Sequence, residues 1–135
     1  MDYRNTLTTC TYCGCGCNFF LESLDGRLTG TIPCKTSPVN EGKLCIKGWN
    51  VHQFVQSEKR LTKPLLRKNG ELVEVSWDEA LNFVASGLKA AKSASGADSI
   101  GFFASAKVTN EENYLMQKFA RAAVGTNNID HCARL

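Results

Sequence analysis

The sequence predicts an α+β chain: a small, β-rich, cysteine-bearing domain over about 1–57, then the start of an α/β domain over about 58–135. Three observations carry this prediction. Six of the seven cysteines lie at or before Cys45, among glycines and prolines and with little apolar sequence to build a core. Two strand pairs are signalled by Asp25-Gly26 and Asn69-Gly70, dipeptides that favour tight hairpin turns. From Ser76 onward the pattern changes to helix, strand, helix, strand, with each helix start marked by a Ser/Thr-x-x-Glu box.

Taken in order, Asn18 to Glu22 and Arg27 to Ile32 read as a hairpin about Asp25-Gly26. Pro33 and Pro38 break the pattern, and Asn40-Glu41-Gly42 turns the chain into Leu44-Cys45. So thin a core needs a bound metal to hold its shape. Glu58 to Pro64 is a charged connector, followed by a second hairpin of Leu65 to Arg67 with Glu71 to Val75. Ser76 and Glu79 open a helix whose Leu81, Val84, Leu88 and Ala91 share a face. That face should pack against a neighbour, and Trp77 and Phe83 read as core. The helix stops near Ser95-Gly96, and Ser99 to Ala104 reads as a buried strand. Thr109 and Glu112 start a second helix running to Gly125, and Asn128 to His131 reads as the next strand of a partly parallel sheet. No third helix follows to cover that strand. The α/β half therefore reads as the opening of a larger layered domain.

Cys10, Cys13, Cys17 and Cys45 follow the spacing C-x2-C-x3-C-x27-C. Three thiolates come from one loop and the fourth returns from a second, the one-per-iron supply that a [4Fe–4S] cluster needs. A structural four-cysteine zinc site is the competing reading, although zinc motifs usually contain two short knuckles and the second is missing here. Cys15, which should point away, and Cys34 read as free thiols. Composition narrows the rest. With 43% hydrophobic and 21% charged residues the chain reads as globular, and a net charge of +3 without a basic run argues against nucleic acid. No apolar stretch is long enough to span a membrane, and Met1 to Thr9 carries no export signal. Seven cysteines without such a signal read as metal-binding thiols in a reducing compartment, the cytoplasm.

The motifs then resemble a known family. Thr11-Tyr12-Cys13-Gly14 to Cys17, Pro38 to Gly48, Arg60-Leu61-Thr62-Lys63-Pro64 and Ser76-Trp77-Asp78-Glu79-Ala80-Leu81 resemble the molybdopterin-dependent oxidoreductases. Thr109 to Tyr114, Lys118-Phe119-Ala120-Arg121 and Gly125 to Leu135 are similar to the catalytic subunit of the formate dehydrogenases within that family. The likeness runs from about Leu7 to the end. It implies a [4Fe–4S] domain at 1–57 and the first part of a molybdopterin-binding α/β domain at 58–135. It also implies a parent enzyme that interconverts formate and carbon dioxide on molybdenum or tungsten held by a bis-molybdopterin guanine dinucleotide cofactor. Partners would be iron–sulfur, diaphorase or hydrogenase electron-transfer subunits.

Carried onto this sequence, the resemblance makes Lys47 the electron relay between cluster and pterin, with a solvated surface lysine as the plain alternative. Lys107, Thr109 and Asn110 lie between a strand end and a helix start, where α/β sheets bind anionic ligands, and are candidate pterin contacts. An ordinary helix cap beside an exposed lysine explains them equally well. His131 and Cys132 resemble the approach to the family's metal-ligand loop. In the formate dehydrogenases a cysteine or selenocysteine ligand follows the stretch matching His131 to Leu135. The chain is thus expected to be the portion upstream of a selenocysteine codon, or else a piece bounded there by chance, and inactive alone. A nitrate reductase-type relative and a free-standing iron–sulfur electron carrier are the rival readings.

Overall fold

Three antiparallel strands, β1 (Tyr3–Thr9), β2 (Asn18–Leu24) and β3 (Arg27–Pro33), make the first sheet in the order β1-β2-β3. Asp25 and Gly26 take φ of 46° and 81°, the doubly left-handed turn expected of that dipeptide. The sequence reading missed β1. Its residues are almost all exposed, so it lacks the in–out alternation that announces a half-buried strand. The computed structural model describes residues 1–132, which divide into two units. Unit one joins Met1–Arg60 to Ser105–Asn113, and unit two joins Leu61–Ala104 to Tyr114–Cys132.

The core of the first unit is small: Phe19 (1% exposed), Cys10 and Val51, with Tyr12, Cys17, Leu21 and Leu44 packed around them. Two short helices, α1 (Ile46–Trp49) and α2 (Val51–Val55), lie against β3 and bring Val51 into that core. Both cysteine-bearing loops thus rest on one apolar nucleus. At its centre a cysteine takes the place of an aliphatic residue.

In the second unit, β4 (Leu65–Lys68) and β5 (Glu71–Glu74) pair about Asn69 and Gly70, whose φ values are 52° and 90°. The helix α3 (Trp77–Ser95) starts where expected, because Ser76 Oγ accepts the Glu79 N–H at 3.1 Å. Only half of the capping box forms. The Glu79 carboxylate pairs with Lys68 Nζ at 2.6 Å instead of returning to the cap.

Two expectations for this unit are corrected. No residue of α3 is buried, and Trp77 and Phe83, read as core, are 65% and 64% exposed. A helix face is buried only where another surface covers it. Among the described residues, α3 meets the Ala97–Ser99 turn and a shallow cleft toward Phe119 and Val124. The apolar run at Ser99–Ala104 is not one buried strand either. Ala97–Ser99 is a 3₁₀ turn, only Ile100 is buried, and β6 (Phe102–Ser105) exposes 89% of Phe103.

From β6 the chain enters α4 (Asn110–Lys118), passes through a π-helical segment (Phe119–Val124), and reaches β7 (Ile129–Cys132), which neighbours β6 in a two-stranded sheet. Gly125 ends the helical run at φ 87°, its N–H donating to the Ala120 carbonyl at 2.8 Å. Among the described residues no helix is long and apolar enough to cross a membrane.

Candidate metal centre

Cys10 is buried, Cys13 and Cys17 are half-buried, and Cys45 is exposed. None of the seven cysteines is in a disulfide. The thiols of Cys10, Cys13 and Cys45 each lie within electrostatic range of the Cys17 thiol. Burial first, then the charges of Cys10, Cys13 and Cys45, pushes the Cys17 thiol above its ordinary pKa. Cys45 is shifted the other way. The Gly48 backbone N–H chiefly, with the Lys47 N–H and ammonium, favours its thiolate and lowers its pKa.

This donor set suits a cluster. It offers four soft sulfurs in one neighbourhood, N–H groups aimed at one of them, and a nearby cation to offset the charge. Among the described residues no three Cys, His, Asp or Glu side chains converge on a single-ion position. The fit therefore rests on the range of the other three sulfurs to that of Cys17 and on the spacing of the four in sequence. Cys15 is exposed, and the neighbouring Cys13 thiol chiefly, then the charges of Cys17 and Cys45, raises its pKa. Cys34 is buried beside Thr36 Oγ1 at 3.5 Å.

What joins the two loops is a polar network that the sequence reading did not single out. Asn40, 8% exposed, accepts the Asn18 N–H through Oδ1 at 2.9 Å. Its Nδ2 donates to the Asn18 carbonyl at 3.2 Å and to the Lys43 carbonyl at 2.9 Å. Asn18 directly follows Cys17, and Lys43 lies two residues before Cys45, so one side-chain amide bridges both ligand loops. Ser37, also buried, donates to Asn18 Oδ1 at 3.0 Å. At the base of the first loop, the Cys10 N–H donates to the Cys17 carbonyl at 2.8 Å. In sequence Asn40 looked only like a turn former, because nothing local shows that its partner is 22 residues away.

Lys47 Nζ lies 4.7 Å from the centroid of the Tyr12 ring, a cation–π contact between the two cysteine loops. The three candidate pterin contacts are placed differently from one another. Lys107 is exposed. The Thr109 hydroxyl accepts the Glu112 N–H at 3.3 Å while Glu112 Oε2 accepts the Thr109 N–H at 2.7 Å, a complete capping box for α4. Asn110 Nδ2 reaches 96 residues back along the chain to donate to the Gly14 carbonyl at 2.9 Å. A cavity of about 70 Å³ lies there, lined by residues that include Cys10, Cys13, Gly14, Thr109 and Asn110. His131 and Cys132 sit exposed on β7. Ala133 to Leu135, which end the resemblance, lie outside the described residues.

Residues 3–57 match the molybdopterin oxidoreductase Fe4S4 domain, and residues 60–135 match the molybdopterin oxidoreductase family. The chain is 53% identical over its full length to the F420-dependent formate dehydrogenase subunit alpha of Methanocaldococcus jannaschii, covering 19% of that protein. It is 56% identical, again over its full length and 19% of the relative, to the F420-dependent formate dehydrogenase 1 subunit alpha of Methanococcus maripaludis. The chain thus spans about a fifth of the length of these curated relatives. Among solved structures, acetylene hydratase from Pelobacter acetylenicus superposes with a TM-score of 0.66 at 26% identity, covering 93% of this chain and 18% of that one.

Proposed function

The chain belongs to the molybdopterin oxidoreductase family, and from that premise we propose that it is the cluster-bearing front part of a formate dehydrogenase catalytic subunit. The observation that carries the choice within the family is the identity of 53% and 56% to two formate dehydrogenase alpha subunits across the whole chain. Fold alone does not decide it, since the same architecture also serves a hydratase. In this reading 1–57 is the [4Fe–4S] domain and 58–135 the first part of the pterin domain. The family matches at 3–57 and 60–135 support that division.

When bound, the pterin-held molybdenum or tungsten supplies the two-electron interconversion of formate and carbon dioxide, and the cluster a one-electron way out. This chain's residues do the rest. The thiolates of Cys10, Cys13, Cys17 and Cys45 would hold one iron each. The Gly48 and Lys47 N–H groups at the Cys45 sulfur would favour the reduced form of a bound cluster. The Lys47 ammonium, held against Tyr12, would add positive charge beside the cluster and serve as the relay toward the pterin. Lys107 and Thr109 remain pterin-side candidates. The reading extends to a cytoplasmic parent enzyme with a bis-molybdopterin guanine dinucleotide cofactor and iron–sulfur, diaphorase or hydrogenase subunits as electron partners.

The test begins with anaerobic reconstitution of the chain with iron and sulfide. Brown protein with four irons per chain is expected, about the stoichiometry of one cubane. Serine at Cys10, Cys13, Cys17 or Cys45 should each lower it, while Cys34→Ser should not. Zinc in place of iron, without a chromophore, would sink the redox reading. A full-length parent that reduces nitrate and leaves formate untouched would move the assignment to the nitrate reductase type.

A further inference from the structure

The contact between Asn110 and Gly14 is not explained by helix starting or by the sheet. Thr109 and Glu112 already complete the capping box of α4. The Asn110 amide is left to leave its own helix, and it donates to a carbonyl in the middle of the cysteine loop. Gly14 directly follows Cys13, and Cys17 is three residues further on. The approach is close enough that a Cβ on Gly14 would overlap the Asn110 side-chain oxygen. Gly14 is not among the left-handed glycines, so the backbone itself does not demand glycine there. What excludes a side chain is Asn110.

We propose that Asn110 is a positioning residue for the cluster, tethering the Cys13–Cys17 loop to the start of α4. The proposal rests on the cluster reading above and gives Asn110 a role distinct from pterin contact. The consequence is mechanical. Ser105–Asn113, the segment that also carries Lys107 and Thr109, belongs to the same unit as the cysteine loop. Displacing that segment would pull on the Gly14 carbonyl and so on the neighbouring Cys13 thiolate. A merely local helix-start role makes a different prediction, because aspartate at a helix N-terminus is favourable but cannot donate.

The experiment compares Asn110→Ala, Asn110→Asp, Gly14→Ala and the Gly14→Ala/Asn110→Ala double variant in the anaerobic, cluster-loaded protein. Iron release to a ferrous chelator and the EPR spectrum of the reduced cluster are read, with helix content by circular dichroism as a control. Asn110→Ala and Asn110→Asp should both release iron about fivefold faster, the equivalent of one lost hydrogen bond of ~1 kcal/mol. Both should alter the EPR line shape while helix content stays constant. Gly14→Ala should be comparably impaired, and the double variant no worse than Gly14→Ala alone, since removing the amide makes room for the methyl group. Wild-type behaviour of Asn110→Asp, or simple addition of the two single effects, would overturn the tether. Should the wild-type protein hold zinc instead of iron, the cluster reading fails. The same cycle read on zinc release still decides the tether.

Discussion

Two thiols within electrostatic range of one another are tuned in opposite directions, Cys45 by backbone N–H groups and Cys17 by burial. Cys45 has N–H groups from Gly48 and Lys47 aimed at its sulfur, whereas Cys17 faces burial and three other sulfurs. In the metal-free chain Cys45 favours its thiolate in the folded state. Its contribution to stability is present above the unfolded thiol pKa and is lost as pH falls through the lower folded value. Cys17 has the reverse sign: its contribution is present below the unfolded pKa and is lost as pH rises toward its raised folded value. At pH 7, iodoacetamide followed by peptide mass spectrometry should label Cys45 faster than Cys17. Equal rates would contradict this ordering. Tyr12 offers a second residue-scale test. Tyr12→Phe keeps an aromatic face for Lys47 and should leave the cluster's reduction potential unchanged, while Tyr12→Leu should lower it by withdrawing the held charge. A leucine variant with the wild-type potential would remove Tyr12 from the relay.

At the scale of elements, the loops depend on side-chain amides acting as backbone. Asn40 makes three hydrogen bonds to main-chain groups from a buried position, so Asn40→Ala would strand donors and acceptors on both ligand loops. The expected cost is ~2 kcal/mol or more in denaturant unfolding of the metal-free chain. Ser76→Ala removes the only side-chain cap of α3 and should cost ~1 kcal/mol. If the two substitutions had equal effect, the loop bridge would be no more than another surface cap.

For the whole molecule, the decisive quantity is apolar surface left outside. Trp77, Leu81, Phe83 and Val84 on α3 and Phe103 on β6 are each more than half exposed. Patches of this kind mark surfaces meant to be covered. The 135-residue chain on its own should therefore self-associate in size-exclusion chromatography with light scattering. A monodisperse monomer with one cooperative melt would show that the exposed face is tolerated.

Sequence alone determined the local and chemical part of this protein. Turn dipeptides placed both hairpins, the Ser76 and Thr109 boxes placed both long helices, and the cysteine spacing pointed to the candidate centre, because each of these signals acts within a few residues. It did not determine which faces are covered. The apolar stripe of α3 and the run at Ser99–Ala104 look the same in sequence whether or not another surface lies against them. Nor could it show the contacts that hold the candidate centre together: Asn40 to Asn18, Lys47 to Tyr12 and Asn110 to Gly14. Those partners lie far apart along the chain, and only tertiary structure decides which distant polar groups meet.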